Sequence, residues 1–258
     1  MNTKLFSIIT PTFNCKEEIE KTINSVLSQE KSLFEYIIID ANSDDGTLDI
    51  LNEYRGKIKL IIENDNGIYD AMNKGISIAN GKYLYFLGAG DCLRKDILEN
   101  LEGKMPKVGI YFIYGDIERI NPYKKLQHNY GYNKWNICTN IICHQAIFYS
   151  KEIFELLGKY DLNYRISADQ IKNIECFGSK DIKKKYINII IADYNGGGIS
   201  DFEDDKIYTK GKGKEILKNL GFIYFIFFIF RERLASLLSF LKLKSKTSSI
   251  LEKYKKRL

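Results

Sequence analysis

Polar residues follow four of the short apolar segments in the first half of the sequence. They are Pro11 and Thr12, Asp40, residues 63–66 and residues 88–91. Carboxylates among them could accept hydrogen bonds from a polar ligand or hold a hard divalent cation, which prefers oxygen ligands. In open α/β sheets, ligands bind beyond the carboxyl ends of the strands, where these segments would lie. The pattern therefore predicts one shared binding site.

The apolar segments that would position these residues are typical of a layered α/β protein. Continuous apolar runs cover residues 6–10, 36–39, 59–62, 83–87 and 109–114. Helical patterns separate them, and Asn14 with Glu17 is typical of a capping box at the start of the first helix. Runs without alternation indicate strands covered on both faces. The β-α-β-α order thus predicts an α/β fold with an open, mostly parallel sheet flanked by helices.

The second half of the chain shows a looser pattern. We predict a meander of strands over residues 117–130, strands at 147–149 and 186–192, helices at 151–157 and 168–177, and a glycine-rich loop at 196–198. The domain organisation that follows is one unit at residues 1–204, with halves at 1–115 and 116–204, and a helical tail at 205–258.

Composition limits the class of protein. The 258 residues are 45% hydrophobic and 28% charged, which indicates a globular chain. The net charge of +6 is concentrated near the C-terminus, so we expect no nucleic-acid partner. Five cysteines without a CxxC pair predict free buried thiols in a reducing compartment. The N-terminus enters a predicted strand without a long apolar segment, so we expect a cytoplasmic protein.

The C-terminal tail has its own pattern. Residues 221–230 are almost entirely aromatic and aliphatic, and leucines continue beyond the charged residues 231–233. The apolar run is shorter than the roughly 20 residues that span a bilayer. A basic amphipathic helix lying at the inner face of the cell membrane is the prediction, and packing of the helix on the protein's own core is the alternative.

Several of these segments resemble, in order and spacing, the motifs of the family 2 glycosyltransferases. The matching segments are residues 8–14, 38–47, 65–76, 79–91, 143–146, 164–169 and 196–200. The resemblance spans residues 5 to about 200 and is nearest to enzymes that build bacterial surface polysaccharides. It implies the GT-A fold, with a Rossmann-like nucleotide-binding half. It also implies inverting transfer of a sugar from a nucleoside diphosphate, with uridine favoured, to a hydroxyl of a glycan or lipid-linked acceptor.

The resemblance also assigns residues to the donor site. Asp40 would accept a hydrogen bond from the uracil imide, although a cap on the following turn would explain it too. The loop at residues 196–200 resembles one that closes over the donor. The full set of donor contacts implied by the resemblance is Pro11, Thr12, Asn14, Asp40, Asp65, Asp70, Asn73, Lys74, Gly90, His144 and Gln145.

Two further carboxylates receive catalytic roles from the resemblance. Asp91 would hold Mg²⁺ or Mn²⁺ against the diphosphate, although the family's usual earlier acidic residue is replaced within residues 88–90. Asp169 would be the general base that deprotonates the acceptor, and a helix cap is the alternative interpretation.

Two other functions stay open at the level of sequence. A sugar nucleotidyltransferase would share the α/β sheet, but it would need a glycine-rich basic loop after the first strand, and residues 11–14 do not provide one. A non-catalytic, membrane-associated protein that binds nucleotide sugars would fit the incomplete acidic motif and the apolar, basic tail.

Overall fold

The computed structural model describes residues 4–121, 123–196, 198 and 203–255, with side chains described as far as residue 240. Most of the predicted loop at residues 196–200 lies outside the described residues. Five thiols are free, as predicted, but only Cys138 and Cys176 are fully buried, and the other three are partly exposed.

The N-terminal half is a parallel α/β unit. Its elements are β1 (Phe6–Thr12), α1 (Lys16–Leu27), β2 (Phe34–Asp40), α2 (Thr47–Glu53), β3 (Lys59–Ile62), α3 (Ile68–Ile78) and β4 (Tyr83–Phe86). The strands lie in the order β3-β2-β1-β4, and every neighbouring pair is parallel. Their carboxyl ends therefore share one edge, and the predicted α/β fold is confirmed.

The C-terminal half extends the same sheet with mixed directions. Its elements are β5 (Cys92–Leu93), α4 (Ile97–Glu102), β6 (Ile110–Arg119), β7 (Lys125–Gln127), β8 (Ile147–Ser150), α5 (Glu152–Leu157), α6 (Ala168–Gly178), β9 (Ile182–Tyr194), α7 (Lys206–Asn219) and α8 (Phe222–Lys255). The order continues from β4 as β8-β6-β9-β5, with β7 beside β6. β8 runs antiparallel to both β4 and β6. Within the part of the chain that the structure describes, the result is one nine-stranded mixed sheet.

The core lies on both faces of this sheet. Ile8, Ile9 and Phe86 are completely buried, as the unalternating strands predict. Helix α3 packs so closely on β1 that a Cβ on Gly75 would lie 2.5 Å from Cγ2 of Ile9. Across the junction of the two halves, the rings of Tyr85 and Phe148 stack at 4.5 Å. This continuous core supports the site at the sheet edge.

The start of α1 differs from the prediction. Cys15, not Asn14, is the N-cap residue, and it makes no side-chain capping bond. Asn14 has a left-handed backbone (φ 46°), and its side chain exchanges two 3.0 Å hydrogen bonds with Asp44. The amide therefore joins the two loops after β1 and β2, since asparagine tolerates positive φ better than most residues.

The predicted meander over residues 117–130 is simpler than expected. β6 continues unbroken to Arg119, and the short β7 is the one further strand among the described residues of this segment. A register shift at Asp116 marks a bulge in the pairing of β6 with β9. The buried Asp116 carboxylate accepts from Asn129 N at 2.8 Å, which holds the returning chain.

The two helices of the tail are partly packed and partly exposed. Ile216, Leu220 and Phe228 belong to the core, so this part of the tail follows the packing alternative. Another face of α8 exposes a run of apolar residues, namely Phe222, Ile223, Ile226, Phe230, Leu234, Leu237, Leu238 and Phe240. Of the helices described, none combines the length and the apolar character needed to cross a bilayer.

Candidate functional site

Asp91 lies in a tight turn directly after β4. The turn closes with Asp91 N donating to Gly88 O at 3.1 Å, and Gly90 takes φ 95°, a conformation that favours glycine. Thr22 of α1 fixes the turn, because its hydroxyl accepts from Gly90 N at 2.9 Å and donates to Asp91 O at 2.8 Å. The Thr22 hydroxyl thus fixes the backbone on either side of the Asp91 side chain.

The Asp91 carboxylate is oriented by two donors. Oδ1 accepts from Asn195 N at 2.8 Å, and Oδ2 accepts from Gln145 Nε2 at 2.7 Å. The residue is only 5% exposed. Burial raises the pKa of Asp91 above its ordinary value, while these two hydrogen bonds oppose the rise. A Cβ on Gly88 would lie 2.9 Å from Oδ2, so any side chain at this position would have to displace the Asp91 carboxylate.

Asp169 is the second buried carboxylate of the site. It lies in the first turn of α6, whose N-cap is Ser167, and its Oδ1 lies 2.7 Å from the Tyr69 hydroxyl. That hydroxyl is also 2.7 Å from Ile166 O, so its single proton serves either acceptor. Burial, followed by the Asp169 charge, raises the pKa of Tyr69 well above its usual value. The described contacts do not support the helix-cap alternative for Asp169, because Ser167 is the N-cap residue of α6.

His144 and Gln145 connect the two carboxylates. They lie on a 3₁₀ turn, His144–Ala146, immediately before β8. While Gln145 donates to Asp91, His144 Nδ1 lies 3.6 Å from Asp169 Oδ2. The other ring nitrogen, Nε2, is buried and has no hydrogen-bond partner among the described residues. An unsatisfied buried nitrogen on a histidine beside Asp169 is a group to which a ligand could bind.

The donor set suits a cation that takes most of its ligands from the substrate. Within the described residues, no three His, Cys, Asp or Glu side chains gather into a ligand cluster. Asp91 therefore stands as a single hard carboxylate, and each of its oxygens keeps a lone pair beyond the bond described above. Mg²⁺ is commonly bound through one or two carboxylates together with substrate phosphates. The residues present fit that kind of site.

Asp40 ends β2 at the same sheet edge and is enclosed by protein donors. Its carboxylate is 0% exposed and accepts from Thr12 Oγ1 at 2.7 Å, Ser43 N at 2.8 Å and Ser43 Oγ at 2.8 Å. Pro11 is buried in β1, and Asn14 N donates to Ser43 Oγ at 2.9 Å. The turn-cap alternative describes this arrangement, and a contact with a base would need one of these bonds to be exchanged.

The residues predicted around α3 also have intramolecular partners. Asp65 caps Gly67 N at 2.9 Å, and Asp70 accepts from Asn66 N at 2.9 Å. The carboxamide of Asn73 exchanges two 2.9 Å bonds with the backbone of Tyr160. Both atoms of the amide are thereby used to dock α3 on the second half of the chain.

Lys74, the next residue of α3, donates to Asn64 O at 2.6 Å and pairs with Glu63 at 3.3 Å. The ammonium group thus lies at the loop after β3. This loop is at the carboxyl end of a parallel strand, where ligands bind in open α/β sheets. Donor contacts by Lys74, Asp65, Asp70 and Asn73 remain predictions.

Sequence reasoning missed three residues that shape the site. Thr22, Tyr69 and Asn195 each touch the turn or the carboxylates, from α1, α3 and the end of β9. Tyr69 stands inside the segment 65–76 that carried the resemblance, and that position was its only signal. The contacts of Thr22 and Asn195 depend on tertiary packing, and no pattern in the sequence indicated them.

Comparison with known sequences gives consistent results. The profile of Glycosyl transferase family 2 matches residues 7–158. A PGL/p-HBAD biosynthesis glycosyltransferase of Mycobacterium bovis (strain BCG / Pasteur 1173P2) is 35% identical over 219 residues, covering 81% of this chain and 84% of that protein.

Solved structures share the fold. TarS 1-349 of S. aureus, in complex with UDP-GlcNAc, superimposes with a TM-score of 0.68 at 20% identity, over 83% of this chain and 67% of that one. The chain spans 66% of the same fragment without ligand. The mannosyltransferase PcManGT from Pyrobaculum calidifontis, in complex with GDP-Man and Mn²⁺, gives a TM-score of 0.57 at 18% identity, over 73% of this chain and 56% of that one.

Proposed function

The chain belongs to glycosyl transferase family 2, and we propose that it transfers a sugar from a uridine diphosphate sugar to an acceptor hydroxyl, inverting the anomeric carbon. The observation that carries the proposal is the His144–Gln145 turn, which brings Asp91 and Asp169 into one site although they are far apart in sequence. One carboxylate can face a cation-bound leaving group while the other faces the attacking hydroxyl. The match to a PGL/p-HBAD biosynthesis enzyme supports a product of surface-glycan type.

Asp169 would act as the general base. Inversion requires the acceptor to attack opposite the leaving diphosphate, so a carboxylate on that side must accept the hydroxyl proton. The contact of Oδ1 with the Tyr69 hydroxyl leaves Oδ2, on the His144 side, as the atom to receive it. Burial keeps bulk water away from the proton transfer.

Asp91 would hold the divalent cation, which supplies charge neutralisation for the departing diphosphate. Gln145 and Asn195 orient the carboxylate, and Thr22 fixes its backbone. His144 Nε2 would donate to a phosphate or acceptor oxygen, which would satisfy its missing bond.

The donor is proposed to be a uridine nucleotide on two grounds. The segment with Asp40 matches the family position that binds uracil, and the fold neighbour TarS was solved with UDP-GlcNAc. The other neighbour was solved with GDP-Man, so the screen that tests the proposal must include both bases.

A donor screen followed by a transfer assay tests this function. Thermal shift with UDP- and GDP-sugars, each with Mn²⁺, Mg²⁺ or EDTA, should show metal-dependent stabilisation by a UDP-sugar. Release of UDP should follow on addition of an acceptor, and NMR of the product should show the inverted anomer. Asp169→Asn should keep donor binding and lose turnover, whereas Asp91→Ala should lose both. Absence of a response to every nucleotide sugar with metal would refute the proposal, and binding without transfer across acceptors would favour the non-catalytic alternative.

We further propose that the protein acts at the cytoplasmic face of the membrane on a lipid-linked acceptor. The exposed apolar face of α8 extends from Phe222 to Phe240. In the sequence it leads into a basic segment made up of Lys242, Lys244, Lys246, Lys253, Lys255, Lys256 and Arg257. An apolar helix face followed by lysines complements a bilayer with anionic headgroups, since each basic residue near such a surface contributes about 1 kcal/mol.

Vesicle flotation tests this location. The full chain should float with vesicles that contain one third phosphatidylglycerol and much less with pure phosphatidylcholine. The double variant Phe230→Ser/Leu237→Ser should lose flotation. The double variant Leu156→Ser/Leu162→Ser, which changes similarly exposed leucines away from α8, should keep it. Equal flotation of both double variants would exclude α8 as the membrane-binding surface.

A further inference from the structure

A buried aspartate outside the predicted site joins two helix N-termini beside the base. Asp205 is 9% exposed and is the N-cap of α7. Its Oδ1 accepts from Ile207 N at 3.1 Å and Tyr208 N at 3.0 Å. Its Oδ2 accepts from Ile166 N at 3.0 Å and Ser167 N at 3.3 Å. One carboxylate thus binds four backbone N–H groups from two separate segments.

The second pair of bonds fixes the turn that carries Asp169. Ser167, the N-cap residue of α6, makes no side-chain capping bond of its own. Asp205 supplies an external acceptor at this end instead, and its charge also suits the positive ends of the α6 and α7 dipoles. The Ile166 peptide is held on its other side as well, because Ile166 O lies 2.7 Å from the Tyr69 hydroxyl.

The contacts form a short chain that ends at the base. Asp205 holds the N–H groups of Ile166 and Ser167, Tyr69 lies against Ile166 O, and the same Tyr69 hydroxyl lies 2.7 Å from Asp169 Oδ1. The first turn of α7 also lies near the base, since the charges of Asp169 and Asp205 add to the burial that raises the pKa of Tyr208.

We propose that Asp205 is a positioning residue for transfer: it clamps the first turn of α6 to α7 and thereby sets where the Asp169 carboxylate meets the acceptor hydroxyl. Because the proposal rests on the transfer reaction proposed above, it concerns the rate of the chemical step and not the binding of the donor. A displacement of about 1 Å in a catalytic group can cost on the order of 100-fold in rate.

Two substitutions at Asp205 distinguish its contacts with Ile166 N and Ser167 N from its capping of α7. Asp205→Ser keeps a good cap for α7, but its short side chain cannot also reach Ile166 N and Ser167 N. Asp205→Asn keeps the shape of aspartate but turns an NH₂ group toward one of the two N–H pairs. The matched control is Asp161→Asn, because Asp161 is an exposed aspartate whose carboxylate, among the described contacts, accepts from Asn163 N and Nδ2 within its own turn.

The measurement is steady-state transfer per folded molecule, with the folded fraction taken from circular dichroism at the assay temperature. Both Asp205 variants should lose about 10- to 100-fold in kcat, while the donor KM and the donor thermal shift stay within about twofold. Asp161→Asn should match the wild type. Unchanged kcat per folded molecule, or a rise in donor KM that accounts for the loss, would overturn the clamp.

Failure of the underlying function would look different. If the wild-type chain transfers no sugar, or if Asp169→Asn keeps full turnover, the proposed reaction itself is wrong. If the wild type transfers, Asp169→Asn does not, and the Asp205 variants keep wild-type kcat, only the positioning function of Asp205 is wrong.

Discussion

His144 Nδ1 lies 3.6 Å from Asp169 Oδ2, and the next residue, Gln145, donates to Asp91 Oδ2 at 2.7 Å. Two adjacent residues of one short turn therefore determine how far the base lies from the carboxylate assigned to the cation. Because the turn is continuous with the buried strand β8, its position is set by the core. Changes in this turn should affect the reaction more than they affect the fold.

Replacing His144 should reduce turnover. In His144→Ala the site loses the only partner of Asp169 Oδ2 named among the described contacts, together with the unsatisfied Nε2. Loss of the hydrogen bond that Nε2 is proposed to donate to a charged oxygen of the substrate corresponds to about 10- to 100-fold in kcat/KM. Steady-state kinetics with the donor identified by the thermal-shift screen would measure it.

The other histidine of the chain provides the control. His128 also pairs with a buried carboxylate, with Nδ1 2.9 Å from Asp116 Oδ2, but its side chain is 66% exposed and lies outside the site. His128→Ala should change kcat/KM less than twofold. Equal losses in the two variants would mean that His144 has no special part in the reaction.

Placing an acidic side chain at position 88, in the turn before Asp91, should weaken the site. A Cβ at position 88 would lie 2.9 Å from Asp91 Oδ2, and that oxygen is already held by Gln145. Gly88→Asp should therefore displace the Asp91 carboxylate and reduce the Mn²⁺-dependent thermal shift. Gly88→Ala measures the steric part alone and should show a smaller loss. Tighter Mn²⁺ binding by Gly88→Asp would contradict the steric conflict between this position and Asp91.

The turn that carries Asp91 should depend on the hydroxyl of Thr22. Thr22→Val keeps the shape but leaves Gly90 N and Asp91 O buried without a partner. Each unsatisfied group costs about 1–3 kcal/mol, so the free energy of unfolding should fall by about 2–6 kcal/mol in urea titrations. Thr22→Ser keeps both bonds and should lose less than about 1.5 kcal/mol. Similar losses in the two variants would show that the methyl group, and not the hydroxyl, matters.

The positions of the first strand ends could be predicted because they follow from local patterns. Unalternating apolar runs identify buried parallel strands, and parallel strands place Thr12, Asp40 and residues 88–91 at one edge. What lies beside the fourth strand could not be predicted in this way. β8 enters antiparallel between β4 and β6, and nothing in its four residues specifies those neighbours.

The partners of the site residues were also beyond sequence reasoning. Asn14 is typical of a helix cap, yet a left-handed backbone turns its side chain to Asp44, a choice made by the packing of two loops. Asn195 acts through its backbone N–H, which any residue except proline could supply. Asp205 is a clear N-cap, but its second pair of bonds, to Ile166 and Ser167, depends on where α7 docks. Such contacts depend on tertiary structure and leave no local pattern.

The thiols should react slowly in the folded protein. Burial raises the pKa of Cys143 to about 12 and that of Cys138 to about 11, from an ordinary 9.0. At pH 8 the thiolate fraction of Cys143 is then roughly 1000-fold lower than that of an ordinary thiol, and the thiolate is the reactive form. Labelling by DTNB at pH 8 should be slow in buffer and should reveal all five thiols in guanidinium.

The pH dependence distinguishes raised pKa values from mere inaccessibility. The labelling rate of a thiol with a pKa of about 12 should rise tenfold per pH unit from pH 7 to 10 without a plateau, whereas an ordinary thiol levels off near pH 9. The labelling rate rises with pH, whereas the stability of the folded protein should fall. Since folding raises these pKa values, the folded state binds more protons above pH 9, and the melting temperature should fall as the pH rises from 9 toward 11. A rapid single-thiol phase at pH 8, absent in Cys143→Ser, would show that Cys143 is an accessible thiol beside the site.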